Sequence, residues 1–215
     1  MLALVSTRQQ YDHLFGIYVP IALGVFAVIL LLVLFAVLRY ARRPPSAAAR
    51  WHEHNRLEGG YALLLAGVAA FLLYLTFMAE HKVDTVANRE RPSLIVDVTA
   101  SKWEWTFAYP AYGFSVQSGA VGRQPLVVPA NEAVRFNLTS VDVIHSFWIP
   151  ALRYKHDAIP GSTQVITLAF SQGVFPGQCA EFCGLRHADM IFTADAVSPA
   201  AFAAWAASKG TGPTP

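Results

Sequence analysis

Residues 17–38 read IYVPIALGVFAVILLLVLFAVL, a run of 22 residues without a charged side chain. As a helix that rises about 1.5 Å per residue, such a run crosses the roughly 30 Å hydrocarbon core of a bilayer. A buried core helix or a cleaved signal peptide would also be apolar, but the run exceeds the roughly 7–15-residue core of a signal peptide and starts well inside the chain. It therefore predicts a transmembrane helix over residues 17–38.

A second apolar run follows at residues 61–78, reading YALLLAGVAAFLLYLTFM, again without a charge. It is slightly short for a membrane span, and the preceding Gly59 and Gly60 extend it to the required length. We predict a second transmembrane helix over residues 61–80. The two spans then form a helical hairpin in the membrane.

The segment between the two runs, residues 39–60, is rich in arginine. Its arginines are Arg39, Arg42, Arg43, Arg50 and Arg56. Before the first run, only Arg8 is basic. Because short loops rich in Lys and Arg stay in the cytoplasm, this loop is predicted to be cytoplasmic, with residues 1–16 and both termini outside the plasma membrane.

The composition supports membrane spans joined to a water-soluble part. Hydrophobic residues make up 54% of the chain and charged residues 14%, whereas a soluble domain carries about 25% charged residues. Such a balance also excludes a disordered chain. The net charge of +2 is too small to indicate binding of nucleic acid through phosphate neutralisation, so nucleic acid is not an expected partner.

The part of the chain after the second span shows the pattern of an all-β domain. Short segments rich in β-branched and aromatic residues are predicted as strands at 94–100, 102–109, 125–129, 134–140, 164–170 and 190–197. Strands at this spacing indicate a sandwich or barrel over residues 81–209. Ser198 and Pro199 then predict the N-cap and first residue of a short helix, with Phe202 and Trp205 packed on the sandwich. Residues 210–215, GTGPTP, are expected to be disordered.

One window of the exported part concentrates residues that bind metals. Residues 179–190 read CAEFCGLRHADM and contain both cysteines of the chain, with His187 three residues after Cys183 and Met190 two residues further on. Two thiolates, an imidazole and a thioether are a soft donor set that favours copper over magnesium or calcium. The window therefore indicates a copper site.

Other interpretations of this window compete. Cys179 and Cys183 could form a disulfide, although its loop would be very small. Zinc could bind the two thiols and two histidines, and a mononuclear blue-copper site would use a single cysteine. If both thiolates bridge two copper ions, a second histidine must come from elsewhere. His145 is the best candidate, because it follows a predicted strand, whereas His156 lies in what reads as a polar surface turn.

Four motifs resemble the cytochrome c oxidase subunit II family. They are WEW at residues 103–105, DVIHS at 142–146, KHDAIPG at 155–161 and QCAEFCGLRHADM at 178–190. With the membrane hairpin, the resemblance extends over nearly the whole chain. It implies a cupredoxin-like sandwich that holds a binuclear copper centre, CuA.

The resemblance also implies the ligands of that centre. They are Cys179 and Cys183 as bridging thiolates, His145 and His187 with one copper each, Met190 as a weak ligand, and Glu181 through its backbone carbonyl. In the family, the side chain of this glutamate also reaches a magnesium site shared with subunit I, so Glu181 is expected to contribute to both sites.

Further roles follow from the same resemblance. Trp103 is expected at the surface above the copper centre, at the point where electrons enter. Glu104, Asp142 and Asp157 would surround it and steer a basic c-type cytochrome. Glu58 resembles a glutamate before the second span at the mouth of a proton path into subunit I, although the residues that follow it depart from the family pattern.

The alternation of aromatic residues supports a competing interpretation of Trp103. Trp103, Trp105, Phe107 and Tyr109 occupy every second position. On a single strand, all four would lie on one buried face.

Two functions are carried forward. The chain resembles the subunit through which electrons enter a respiratory haem–copper oxidase, an oxidoreductase in which haem-bearing subunit I reduces oxygen to water and protons are translocated. The alternative is a membrane-anchored copper carrier or assembly protein. Co-purification with haem would distinguish an electron relay from a carrier.

Overall fold

The computed structural model describes residues 7–42, 53–89 and 91–209. Two compact units make up the chain, one formed by residues 10–81 and the other chiefly by the residues that follow. The predicted tail, residues 210–215, and the arginines at positions 43 and 50 lie outside the described residues.

The first unit consists of two long helices, α1 (Thr7–Tyr40) and α2 (Asn55–Arg89). Each contains one of the predicted spans and continues beyond it at both ends. Both helices are long and apolar enough to cross a membrane, and none of the described side chains of α1 is buried. A helix that is apolar on every side and has no protein cover is suited to lipid.

A polar contact joins the two helices of this unit. The Tyr18 hydroxyl of α1 donates a hydrogen bond to the backbone carbonyl of Leu72 in α2 at 2.8 Å, and it lies 2.5 Å from the Thr76 hydroxyl. Side-chain hydrogen bonds between membrane helices contribute about 0.6 kcal/mol on average. The contact therefore fixes the pairing of the helices more than it stabilises them.

The second unit contains ten strands in two five-stranded sheets. The strands are β1 (Leu94–Ser101), β2 (Glu104–Tyr109), β3 (Phe114–Gly119), β4 (Leu126–Pro129), β5 (Val134–Ser140), β6 (His145–Ile149), β7 (Tyr154–Ala158), β8 (Gln164–Leu168), β9 (Gly173–Cys179) and β10 (Ile191–Val197). One sheet has the order β3-β2-β1-β5-β8 and the other β4-β10-β9-β6-β7. This arrangement confirms the predicted sandwich.

Alternating side chains explain why these segments form the sandwich. In β1, Val96 and Val98 point inward and are fully buried, as are Phe107 in β2 and Phe136 in β5. β1 pairs with β2 in antiparallel and with β5 in parallel orientation. Burial of each such side chain contributes about 1.5–3 kcal/mol, so one-residue slips of register are strongly disfavoured.

Strands β3, β6, β7 and β9 were not expected from the sequence. The interpretation of residues 155–161 as a polar turn is wrong for most of that segment, because residues 154–158 form β7, which pairs with β6. β7 lies at the edge of its sheet, where one face and one side of a strand meet solvent and polar residues are tolerated. β9 contains Gly173, Pro176 and Gly177, residues that normally indicate a turn.

A short helix, α3 (Pro199–Ser208), closes the described part of the chain. The Ser198 hydroxyl accepts a hydrogen bond from the Ala201 backbone N–H at 3.2 Å, which confirms the predicted N-cap. Phe202 is buried, and the Trp205 ring lies 5.2 Å from that of Tyr109. The predicted packing of this helix on the sandwich is thus confirmed.

Candidate metal centre

The candidate ligands come together at one end of the β4-β10-β9-β6-β7 sheet. Cys179 is the last residue of β9, His145 is the first residue of β6, and Met190 precedes β10. The Cys179 backbone N–H donates to the Met190 carbonyl at 2.9 Å, and the Ala180 N–H donates to the Ser146 carbonyl at 3.0 Å. These bonds hold the loop between β9 and β10 closed and against the start of β6.

The donor atoms of the loop lie close to one another. The two cysteine Sγ atoms are 3.9 Å apart, and Cys179 Sγ is 3.3 Å from the Glu181 carbonyl oxygen. Cys183 Sγ lies 3.5 Å from His187 Nδ1 and 3.9 Å from Met190 Sδ. The two cysteines therefore lie side by side, with the Glu181 carbonyl against Cys179 and with His187 and Met190 against Cys183.

His145 completes the cluster from a different strand. Its Nδ1 lies 3.8 Å from Cys179 Sγ, and the donor atoms of His145, Cys179 and Cys183 all lie within 4.8 Å of one another. The structure thus brings His145 to the cysteines, as predicted, and leaves His156 on β7. The sequence placed His145 after a strand, whereas it is the first residue of one.

Burial and chemistry fit a copper site better than a disulfide. Both cysteines are free thiols that are only 3% exposed, and their 3.9 Å separation far exceeds the roughly 2.05 Å of an S–S bond. Met190 is fully buried, and its sulfur lies against Cys183. A zinc site of two thiolates and two imidazoles would leave this thioether without a role. The donors form a soft set of sulfur and nitrogen atoms that fits copper.

The pKa values of the two thiols are shifted in opposite directions. Burial, together with the negative charge of Cys179, raises the pKa of the Cys183 thiol to about 12. Burial also opposes ionisation of Cys179, but hydrogen bonds with His145 and with the backbone of Glu181 and Ser146 outweigh it and lower its pKa to about 7. One thiolate forms readily, and the second needs a cation between the sulfurs, which a bound metal supplies.

The Asp142 carboxylate contacts the His145 ring nitrogen that faces away from the cysteines. Asp142 Oδ1 lies 2.8 Å from His145 Nε2, and Asp142 Oδ2 accepts the Lys102 backbone N–H at 2.8 Å. Burial opposes ionisation of Asp142, but the hydrogen bonds with His145 and with the backbone N–H groups of Val143 and Lys102 keep the pKa of its carboxyl below the usual range. Sequence reasoning assigned Asp142 to donor docking and missed this contact, although its spacing of three residues from His145 could have suggested it.

Trp103 lies beside the cluster rather than in the sandwich core. It precedes the first residue of β2 and is half-buried, whereas Trp105, Phe107 and Tyr109 are fully buried. The shared buried face therefore comprises three of the four alternating aromatics. A Cβ atom at Gly184 would lie 3.5 Å from the Trp103 ring, so the indole packs on the loop next to Cys183.

The remaining predicted site residues occupy different surroundings. Glu104 Oε1 accepts the Gly122 backbone N–H at 2.7 Å, and Asp157 is half-buried on β7. Glu181 is exposed. Glu58 lies in the first turn of α2, where its Oε1 accepts the His54 backbone N–H at 3.1 Å. Glu58 belongs to the helical unit, and its predicted role in a proton path stays a prediction.

Exposed apolar side chains flank the cluster. Val121, Phe182 and Leu185 are 77%, 79% and 92% exposed, and the Phe182 ring lies 5.8 Å from that of His187. Phe182 and Leu185 belong to the ligand loop itself, and Val121 follows Ala120, whose N–H donates to the Trp103 carbonyl. Apolar groups collected on a surface in this way mark a site of protein contact.

Comparisons with known proteins agree with the fold and the site. A family model described as "Cytochrome C oxidase subunit II, periplasmic domain" matches residues 120–197. The cytochrome c oxidase subunit 2 of Cereibacter sphaeroides is 29% identical over 94% of this chain and 76% of its own length. That of Bacillus sp. (strain PS3) is 38% identical over 66% of this chain, which spans 41% of the relative.

A solved structure covers the sandwich. The periplasmic domain of subunit II of cytochrome oxidase from Bradyrhizobium japonicum is 34% identical, with a TM-score of 0.52 over 55% of this chain and 94% of that domain. The match confirms a cupredoxin-like sandwich, which with the two apolar helices gives the predicted fold class.

Proposed function

The chain belongs to the cytochrome c oxidase subunit II family, and on this premise we propose that it is the subunit through which electrons enter a respiratory haem–copper oxidase. It accepts single electrons from a c-type cytochrome and passes them to haem in subunit I, where oxygen is reduced to water and protons are translocated. The observation that carries this proposal is the set of contacts that links two buried thiols, two imidazoles and a thioether, with His145 against Cys179 and both His187 and Met190 against Cys183.

The chain's own residues would hold a binuclear copper centre. Cys179 and Cys183 would each hold both ions, His145 and His187 would hold one ion each, and Met190 and the Glu181 carbonyl would be weaker ligands. When bound, the two ions supply a one-electron couple whose charge they share. The hydrogen bonds that close the ligand loop support this role, because a fixed loop keeps the ligands in place when the charge changes.

Trp103 is proposed as the residue that receives the electron. Its partly exposed ring packs on Gly184, which is bonded to the ligand Cys183. A partly exposed aromatic ring in contact with the ligand loop is suited to a short electron path.

The donor is proposed to dock over Trp103. The exposed apolar side chains of Val121, Phe182 and Leu185 provide the contact area that a small transient interface needs. The carboxylates of Glu104, Asp142 and Asp157 would add steering of a basic cytochrome, an effect that salt screens.

The membrane arrangement belongs to the same proposal. The arginine-rich loop faces the cytoplasm, and both termini and the copper domain lie outside the plasma membrane. Glu181, exposed next to the cluster, extends towards a magnesium site shared with subunit I. Glu58 stands at the cytoplasmic start of α2 as the mouth of a proton path.

Copper loading of the full-length chain in detergent tests the centre. We expect two copper ions per chain and a purple mixed-valence spectrum. Cys179→Ser or Cys183→Ser should abolish that spectrum, because each thiolate bridges both ions. Ala188→Ser, at an exposed position of the same loop, adds a hydroxyl without removing a thiol and should leave the spectrum unchanged.

Two outcomes would contradict the proposal. A stoichiometry of one metal per chain, or zinc bound as tightly as copper, would refute the binuclear centre. Purification from native membranes with copper but without haem would instead favour the copper carrier.

A further inference from the structure

Asp142 lies between the candidate ligand His145 and the backbone next to Trp103. One carboxylate oxygen, Oδ1, is 2.8 Å from His145 Nε2. The other, Oδ2, accepts the backbone N–H of Lys102 at 2.8 Å, and Lys102 immediately precedes Trp103. A single carboxylate thus joins the histidine on β6 to the turn that carries the electron-accepting tryptophan.

The carboxylate is itself held in place by its own loop. Its Oδ1 accepts the Val143 backbone N–H at 2.6 Å and lies 3.3 Å from the buried Ser140 hydroxyl. The Ser140 hydroxyl also donates to the Val143 carbonyl at 2.5 Å. With this many fixed partners, the Asp142 side chain has one orientation, and its position determines that of the imidazole.

The hydrogen bond at Nε2 decides which ring nitrogen faces the sulfurs. A carboxylate acceptor requires the proton on Nε2, which leaves the lone pair on Nδ1, 3.8 Å from Cys179 Sγ. An acceptor on the far nitrogen both selects this tautomer and makes the imidazole a better electron donor to a metal. His145 is fully buried, so water does not supply such an acceptor in its place.

We propose that Asp142 is a positioning residue of the copper centre, which holds His145 with Nδ1 towards the thiolates and ties this ligand to the backbone at Trp103. The inference rests on the proposed function, since it concerns the same copper centre. It gives Asp142 a task that does not depend on the electron donor. Loss of such a partner lowers metal affinity by about tenfold or more.

Asparagine cannot replace this carboxylate. Asp142 accepts hydrogen bonds on both oxygens, from Lys102 on one and from His145 on the other. A carboxamide has one accepting oxygen and one donating NH₂ group. In Asp142→Asn, the NH₂ group either faces the imidazole N–H, which breaks the contact with His145, or faces the Lys102 N–H, which leaves only a neutral and weaker acceptor on the imidazole.

The test uses the full-length chain in detergent, loaded with copper, and compares Asp142→Asn with the wild type. We expect a copper affinity at least about tenfold lower, measured by competition with a chelator. The reduction potential should rise, because the imidazole donates less charge to the oxidised centre, and the copper hyperfine splitting should change. None of these readouts requires a cytochrome.

Two variants separate positioning from other effects. Asp189→Asn removes the same charge from an exposed residue of the ligand loop that pairs with Arg186, and it should leave copper affinity and hyperfine splitting unchanged. Ser140→Ala removes one partner of the Asp142 carboxylate but keeps the contact between Asp142 and His145, so copper affinity and spectrum should change less than in Asp142→Asn even if the melting temperature falls.

The inference would be overturned if Asp142→Asn kept the copper affinity, reduction potential and spectrum of the wild type. It would also be overturned if Ser140→Ala changed these three quantities as much as Asp142→Asn does. If Asp142→Asn does not fold, Asp142→Glu gives the test, because its added methylene moves the oxygen away from Nε2. Wild-type affinity in that variant would then overturn the inference. A wild-type chain that does not bind two copper ions would refute the proposed function instead.

Discussion

Replacing Trp103 with alanine should slow the uptake of electrons while the copper centre remains intact. In the wild type, the indole packs on Gly184, and a Cβ atom there would lie only 3.5 Å from the ring. Alanine removes the whole ring and leaves a gap between the surface and the loop that holds Cys183. We expect the rate to fall at least about tenfold, which corresponds to roughly 1.4 kcal/mol of activation free energy.

The structure predicts that the Trp103→Ala domain stays folded. Truncation of a fully buried Phe or Trp to alanine costs about 3–5 kcal/mol. Trp103 is partly exposed, so its truncation should cost less than that, and less than the roughly 5–15 kcal/mol stability of a typical domain. Trp105 is fully buried and lies against the rings of His145 and Phe147, and its truncation should cost the full amount.

The assay is stopped-flow reduction of the assembled oxidase by a reduced c-type cytochrome, with the copper spectrum recorded on the same sample. Trp103→Phe should retain most of the rate, because it keeps an aromatic ring and because the Trp103 Nε1 has no hydrogen-bond partner among the described residues. Trp205→Ala is the matched control, since this half-buried tryptophan packs on Tyr109 and Phe114.

Three results would refute this reasoning. A wild-type rate in Trp103→Ala would exclude the indole from the electron path. An equal loss of rate in Trp205→Ala would assign the effect to general loosening of the domain. Unfolding of Trp103→Ala would mean that the side chain is a core residue after all.

Further predictions concern topology, the weak ligand and the sandwich. A cysteine tag at Ala47 should be labelled only from the cytoplasm, and one at Thr214 only from outside. The opposite labelling pattern would place the copper domain on the cytoplasmic side and contradict the proposed topology. Met190→Leu should retain two copper ions by metal analysis with a shifted reduction potential, because a thioether is a weak ligand; loss of the copper would contradict this. In Gly177→Ala, a Cβ atom would lie 2.2 Å from the Phe192 ring, so overpacking should cost at least about 1–3 kcal/mol. An unchanged melting temperature would show that the ring moves freely.

The elements that the sequence predicted best are those with regular hydrophobic patterns. The two apolar runs predicted both helices, and strict alternation predicted strands such as β1 and β5, whose inward residues are all buried. β9 escaped detection because its glycines and Pro176 serve packing and pairing rather than a turn. Gly177 is required there because the Phe192 ring occupies the space of a side chain, a contact between strands that local composition does not reveal.

The candidate site was predicted as a set of residues but not as an arrangement. Residue types in one window indicated soft metal chemistry, and the position of His145 after a predicted strand, together with the resemblance to a family, indicated it as the distant ligand. The contact between Asp142 and His145 and the packing of Trp103 on Gly184 could not be derived in this way. Both depend on how the turns between strands fold against each other, and no periodicity encodes such contacts.

The position of the ligands in the sandwich explains why the site is suited to electron transfer. His145, Cys179 and Met190 are each at the end of a strand or adjacent to one, in neighbouring strands of a single sheet. Trp105, fully buried, makes an edge contact with His145 at 6.2 Å between ring centroids and donates its indole N–H to the Met190 carbonyl at 3.4 Å. A movement of these ligands would therefore disturb the aromatic core, in which each buried ring contributes about 1.5–3 kcal/mol. The core that stabilises the fold thus also restricts movement of the ligands, and the proposed electron transfer requires such restriction for a low barrier.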